Sequence, residues 1–156
     1  MSPYALAIRH TPVILERIVD EVPMERFGEQ LAPDRFTLAE MVAHLADFEE
    51  TVLDRLVIAS EKPGSTIENF DEEARAIEKN YAGKSIRHEI DTFATRRRET
   101  ILYIESLPEE KWSNTIVHPS LGTMSIADLL CSLHGHDLYH IEQVSAYMTE
   151  LHELVP

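Results

Sequence analysis

Three features of this sequence predict an all-α fold, a four-helix bundle with long connections between helices two and three and between helices three and four. Apolar residues recur at i, i+3 and i+4 along several long stretches. Only five glycines interrupt 156 residues. No segment alternates apolar and polar residues with the period of two that a half-buried strand needs.

The first helix is expected over residues 5–22, with Ile14, Leu15, Ile18 and Val22 on one face. Pro12 either kinks it or, with Thr11 as cap, marks its true start, because proline has no N–H and suits a first helical turn. Pro23, Gly28 and Pro33 then break the chain. Thr37 and Glu40 have the spacing of a capping box and open the second helix, residues 38–60. Leu38, Met41, Leu45, Phe48, Val52 and Leu56 line one side of it.

Glu61 to Thr66 is a clear break, and residues 71–80 read as a short helix with acids near its start. The third helix covers residues 85–107, with Ile86, Ile90, Phe93, Ile101 and Ile104 inward and the run Arg96, Arg97, Arg98 on its solvated side. Pro108 follows its end. A connection with Trp112, Pro119 and Gly122 leads to Ser125 and Asp128, which open a fourth helix reaching about Met148. One domain accounts for the whole pattern, residues 1–156.

Charge narrows the function classes. Acidic residues number 28 against 14 basic ones, a formal net charge of −14. Such a surface repels phosphate backbones and anionic lipid headgroups, so neither nucleic acid nor a membrane surface is an expected partner. The single cysteine, Cys131, forms no disulfide within the chain, as expected of a reducing cytoplasm. Glu16, Arg17, Asp20 and Glu21 interrupt the N-terminal apolar residues, so neither a signal peptide nor a membrane span is expected.

The chemistry is concentrated in LLCSLHGHDLYHIEQV, from Leu129 to Val144. At about 100° per residue, His136 and His140 lie about 40° apart, inside the stripe made by Leu129, Leu133 and Val144. His134 falls about 160° from His136, and Cys131 about 140°. Two imidazoles at i, i+4 can hold one metal ion on one helix face. His44 is the candidate third ligand, at the edge of the second helix's stripe and about 40° from Phe48. A lone core histidine usually just bonds a carbonyl, but two adjacent ones each need a polar partner and resist protonation there.

Asp137, about 60° from His140, and Asp47, three residues after His44, are candidates to orient a ligand ring through its other nitrogen. Otherwise both are solvated or capping carboxylates. Tyr147 reads as core, Trp112 as a loop anchor over the bundle end, and Cys131 as a small core or interface residue. His10, His88, His118 and His152 read as surface residues. Gln143 has no role that the sequence assigns.

At these residues the chain resembles the DinB-like superfamily, which includes YfiT-like metal-dependent hydrolases. The matching pieces are FTLAEMVAHLADFEE around His44 and HPSLGTMSIADLLCSLHGHDLYHIEQV from His118 to Val144, with a histidine early in helix two and an HxxxH pair followed by His-Ile-x-Gln in the last helix. The resemblance implies a four-helix bundle, a homodimer, and a divalent metal, zinc or nickel, held by His44, His136 and His140 with coordination positions left open. It also implies a small-molecule substrate, with hydrolysis or thiol transfer that uses a low-molecular-weight thiol. Two rivals stay open: a non-catalytic bundle that binds a metal or small ligand in a stress response, and a structural dimerisation domain whose histidines are polar core groups.

Overall fold

The structure, a computed structural model, describes residues 2–148. His152 and the last residues lie outside that range. Its helices are α1 (Pro3–Ile8), α2 (Thr11–Glu21), α3 (Leu38–Glu61), α4 (Glu72–Glu78), α5 (Ile86–Ser106) and α6 (Ile126–Ser145). The four long ones, α2, α3, α5 and α6, form the bundle. The expected first helix is two helices. Ser2 caps α1, and α2 restarts at Thr11 with Pro12 in its first turn, so the proline marks a start. Thr11 is the first helical residue of α2, and the capping position falls to His10, which makes no side-chain cap bond.

The capping box expected at Thr37 and Glu40 is present, and the Ser125–Asp128 opening of α6 proves to be a second one. Thr37 Oγ1 accepts from the Glu40 backbone N–H, and the Glu40 carboxylate accepts from Thr37 N–H at 2.9 Å. Ser125 and Asp128 do the same for α6. A 3-10 turn, Ala146–Met148, extends α6 to the last described residue.

The bundle's connectivity follows from what packs together. α3 packs on α5 and α6, and α2 closes against the same two helices. One apolar cluster holds Leu38, Met41 and Leu45 of α3 with Ile86, Ile90 and Phe93 of α5, Val19 of α2 and Val144 of α6. The other holds Val52 and Leu56 with Ile104, Leu129 and Leu133. The N-terminal halves of α3 and α5 therefore sit together, and these two helices run parallel. Only a long crossover can join parallel neighbours. Residues 62–85 supply it, carrying α4 back along the bundle.

A small sheet was not expected. β1 (Ser65–Thr66), β2 (Thr115–His118) and β3 (Gly122–Ser125) form it in that order. β1 is parallel to β2, and β2 pairs antiparallel with β3 from Thr115↔Ser125 to His118↔Gly122. Strands of two to four residues are too short for alternation to register in the sequence. Gly122 turns the hairpin with φ +74°, a conformation that disfavours a side chain. Trp112 stacks on Tyr4 with ring centres 5.5 Å apart, anchoring the α5–β2 connection to the N-terminal helix.

Two further expectations are corrected. Cys131 is exposed, which removes the core half of its expectation and leaves the interface half open. Arg97 does not share the solvated side with Arg96 and Arg98: it is 1% exposed. Its guanidinium reaches Glu49 of α3 at 2.6 Å and Asp137 of α6 at 2.5 Å, and it donates to the Ile8 carbonyl at 2.9 Å. Thr11 donates to Asp137 and Thr100 to Glu49, completing a polar layer across the bundle.

Candidate metal centre

α3 and α6 pack with His44 facing His136 and His140. The Nε2 atoms of His44 and His136 are 3.0 Å apart. One ring nitrogen from each of the three residues falls within a 4.8 Å span. An ion bonded to each at about 2.0–2.1 Å would draw such nitrogens to within about 4 Å of one another, so the cluster is near the size of one shared site. His44 is 0% and His140 5% exposed, and His136 is half-buried.

Aromatic rings hold the imidazoles. Phe48 stacks on His136 with centres 4.1 Å apart, and Phe36, Phe70 and Tyr81 surround His44. This packing sets the electrostatics. Burial pushes the His44 pKa down to about 3, with help from neighbouring His140 and against the pull of Asp47. Burial pushes His136 down to about 2, with His140, His44 and Arg97 adding to the effect. His140 is also lowered by burial, while its hydrogen bond to Gln143 and the charge of Asp137 oppose the shift. All three rings are thus neutral near pH 7, the form in which imidazole binds metals.

Their hydrogen bonding is incomplete. Nδ1 of His44 and Nδ1 of His136 are buried with no partner among the described residues. A neutral ring carries one N–H and one lone pair, so the facing Nε2 atoms can satisfy each other only by sharing a single proton. A divalent ion between the rings would engage both lone pairs at once. The donor set, three neutral imidazoles with no carboxylate or thiolate, fits zinc, nickel, copper and iron alike.

The two carboxylates proposed as ring-orienting groups bond elsewhere. Asp137 accepts from Arg97 and Thr11. Asp47 accepts from Arg75 Nε at 2.6 Å and from the Tyr81 hydroxyl at 2.9 Å. Burial works to raise the Asp47 carboxyl, but these bonds outweigh it and leave its pKa lowered. Through them α4 and the Tyr81 turn are tied over the His44 side of the site. Both carboxylates still reach the histidines as charges, Asp47 acting on His44 and Asp137 on His140.

Gln143 is the residue that sequence reasoning missed. His140 Nδ1 and Gln143 Oε1 are 2.8 Å apart, one turn along α6. The i, i+3 spacing was the available signal. Tyr147, by contrast, is core, with its hydroxyl donating to the Glu29 carbonyl. His118 lies at the end of β2, where its Nδ1 accepts from the backbone N–H groups of Ser120 and Leu121.

His140 opens onto a cavity of about 500 Å³, lined also by Arg35, Phe36, Glu40, Glu72, Tyr139 and Gln143. A second cavity of about 430 Å³ shares Arg35, Phe36, Met41, Tyr139 and Gln143 with it. Both volumes suit small molecules.

A model of the DinB superfamily matches residues 7–144, nearly the full described chain. The chain belongs to the DinB superfamily. YfiT from Bacillus subtilis, described as "a probable metal-dependent hydrolase with an unusual four-helix bundle topology", superposes with a TM-score of 0.85 at 15% identity, over 94% of this chain and 87% of that one. A DinB-like protein of Bacillus subtilis, YjoA, superposes with a TM-score of 0.64 at 13% identity, over 99% and 95%. At these identities the likeness is one of fold. No curated protein matches the chain. Among the described residues, no helix is long and apolar enough to cross a membrane.

Proposed function

We propose that this DinB-superfamily chain is a metal-dependent enzyme acting on a small molecule, with His44, His136 and His140 as the ligands of one divalent ion. The observation that carries the proposal is the convergence of three neutral imidazoles, two buried and one half-buried, from two helices beside a cavity. The description of YfiT as "a probable metal-dependent hydrolase" supports it by analogy of fold. When bound, such an ion lowers the pKa of a coordinated water or thiol and polarises an oxygen of the substrate.

The protein's own part is to prepare that position. Three ligands leave coordination room, as in catalytic rather than closed structural sites. The aromatic collar of Phe36, Phe48, Phe70 and Tyr81 keeps bulk water from the inner face and holds the rings in place. Asp47 and Asp137 act as negative charges on His44 and His140 without occupying a ligand nitrogen, each offset by its own arginine, Arg75 and Arg97. The cavity beside His140 admits the substrate, and Arg35 and Glu72 on its wall give it charged groups of both signs.

The reaction we propose is hydrolysis or thiol transfer, with zinc or nickel as the metal and a low-molecular-weight thiol as one candidate substrate. A cytoplasmic homodimer is the setting we propose. The test is a panel of ester, amide and thiol-transfer substrates run on metal-loaded and chelator-treated protein. The expected result is turnover that chelation abolishes, that zinc or nickel restores, and that His44→Ala, His136→Ala and His140→Ala each remove. Turnover indifferent to chelation and to these substitutions would overturn the proposal.

A further inference from the structure

We infer that Gln143 is the positioning residue of the site, fixing His140 as its one pre-oriented ligand through the bond from His140 Nδ1–H to Gln143 Oε1. The inference rests on the metal reading above and adds an asymmetry among the three histidines.

The geometry is specific to one ring. His140 has its outer nitrogen 2.8 Å from the Gln143 carboxamide. The outer nitrogens of His44 and His136 have no partner among the described residues. A ring that donates from Nδ1 keeps its Nε2 lone pair for the ion, so the hydrogen bond selects the ligating tautomer before any metal arrives. If Nε2 binds the ion, Nδ1 must carry the proton, and Gln143 must present its oxygen. His44 and His136 are held by stacking instead, which fixes a ring's plane but not its tautomer.

The chain provides for this bond in three ways. Gln143 stands at i+3 from His140 on the same helix, so one rotamer suffices to close it. Val144 and Tyr147, buried just C-terminal to that turn, hold the backbone. The residue also borders both cavities, so the carboxamide stands at the boundary between ligand and substrate space. Charged alternatives are not in place: Asp137 is committed to Arg97 and Thr11, and Asp47 to Arg75 and Tyr81.

The experiment compares wild type with Gln143→Leu, which matches the side chain's size but accepts no bond, and Gln143→Glu, which keeps the acceptor. Cobalt(II) is titrated into each apo-protein against a competing chelator. Ring nitrogen NMR of the apo-proteins reads the His140 tautomer. We expect about 10- to 100-fold weaker cobalt binding in Gln143→Leu, with recovery in Gln143→Glu. We also expect a single Nδ1–H tautomer of His140 in wild type and Gln143→Glu, and a mixture in Gln143→Leu. A packing role alone would leave the tautomer unchanged. Wild type that binds cobalt while Gln143→Leu binds it equally well, with the same tautomer, overturns this inference and leaves the metal reading standing. Wild type that binds no cobalt overturns the metal reading itself, and this inference falls with it.

Discussion

Arg97 with its carboxylates and His44 with its fellow histidines are buried side by side in one bundle, yet they are built in opposite ways. The Arg97 layer is nearly complete. Two carboxylates, two threonine hydroxyls and a backbone carbonyl converge on it, and within that layer Arg97 Nε alone lacks a partner. The histidine cluster is incomplete, with two orphaned Nδ1 atoms and two Nε2 atoms facing each other. Buried polar groups are normally satisfied, and each exception calls for a reason. The satisfied cluster needs nothing more to explain it than the fold. The facing Nε2 atoms of the unsatisfied one are shaped for something that the chain itself does not supply.

Substitution at Arg97 is the strongest challenge to that contrast. Arg97→Met strands Glu49 and Asp137 as buried, unpaired carboxylates. Removing one partner of a buried ion pair typically costs about 3–5 kcal/mol, so urea unfolding should show a loss of that order. A loss under about 1 kcal/mol, the range of an exposed pair, would mean that the layer is not the structural member described here.

Metal should act on the other cluster alone. At a free concentration about 100 times its dissociation constant, a ligand specific to the native state adds about 2.7 kcal/mol. Thermal unfolding with and without zinc should show stabilisation of that size in wild type and none in His136→Leu. In the metal-free state His136→Leu should cost no more than about 1–3 kcal/mol, since it removes an orphaned Nδ1 but also takes the Nε2 partner of buried His44 away. Marked destabilisation of the apo-protein would make His136 an ordinary core residue.

Acid should separate the clusters by sign. The unfolded histidines titrate near 6.5, whereas burial holds His44 to about 3 and His136 to about 2 in the fold. Below pH 6.5 the unfolded chain therefore binds more protons, and apo-protein stability falls with pH until the folded values are reached. The slope should be about 2 kcal/mol per pH unit between pH 6 and 5, about 1 from each of the two histidines. Glu49 works the other way, since burial raises its carboxyl and the fold takes up that proton first. His44→Leu should flatten the slope, as denaturant titrations at a series of pH values would show.

The smallest expected effect belongs to a helix cap remote from the Arg97 layer. Thr37→Ala removes the side-chain acceptor at the start of α3 and should cost about 1 kcal/mol, with metal affinity unchanged. A loss of metal binding there would mean that the ligand helix is not held by packing.

Much of this contrast was legible in the sequence, for reasons the residues make plain. His136 and His140 stand out because i, i+4 arithmetic places them between Leu133 and Val144. The same arithmetic places Arg97 four residues after Phe93, and Asp137 four after Leu133. Arg97 was misplaced because membership of a basic run suggested solvent, although its stripe position argued otherwise. Both capping boxes are local and were readable. The sheet was not, since β1 meets β2 across about 50 residues through backbone bonds that leave no pattern in so short a strand. Gln143 was left unassigned for a different reason, although its i, i+3 spacing from His140 was visible. Its role depends on one rotamer and one ring nitrogen, and helix periodicity fixes neither.

The most direct measurement is elemental analysis of protein purified without a histidine tag or chelator, alongside His44→Ala, His136→Ala and His140→Ala. About one equivalent of divalent metal in wild type, lost from all three variants, is the expected result. No metal in wild type, even after reconstitution with zinc and nickel, would contradict the central claim and leave the three histidines as polar groups of an ordinary core.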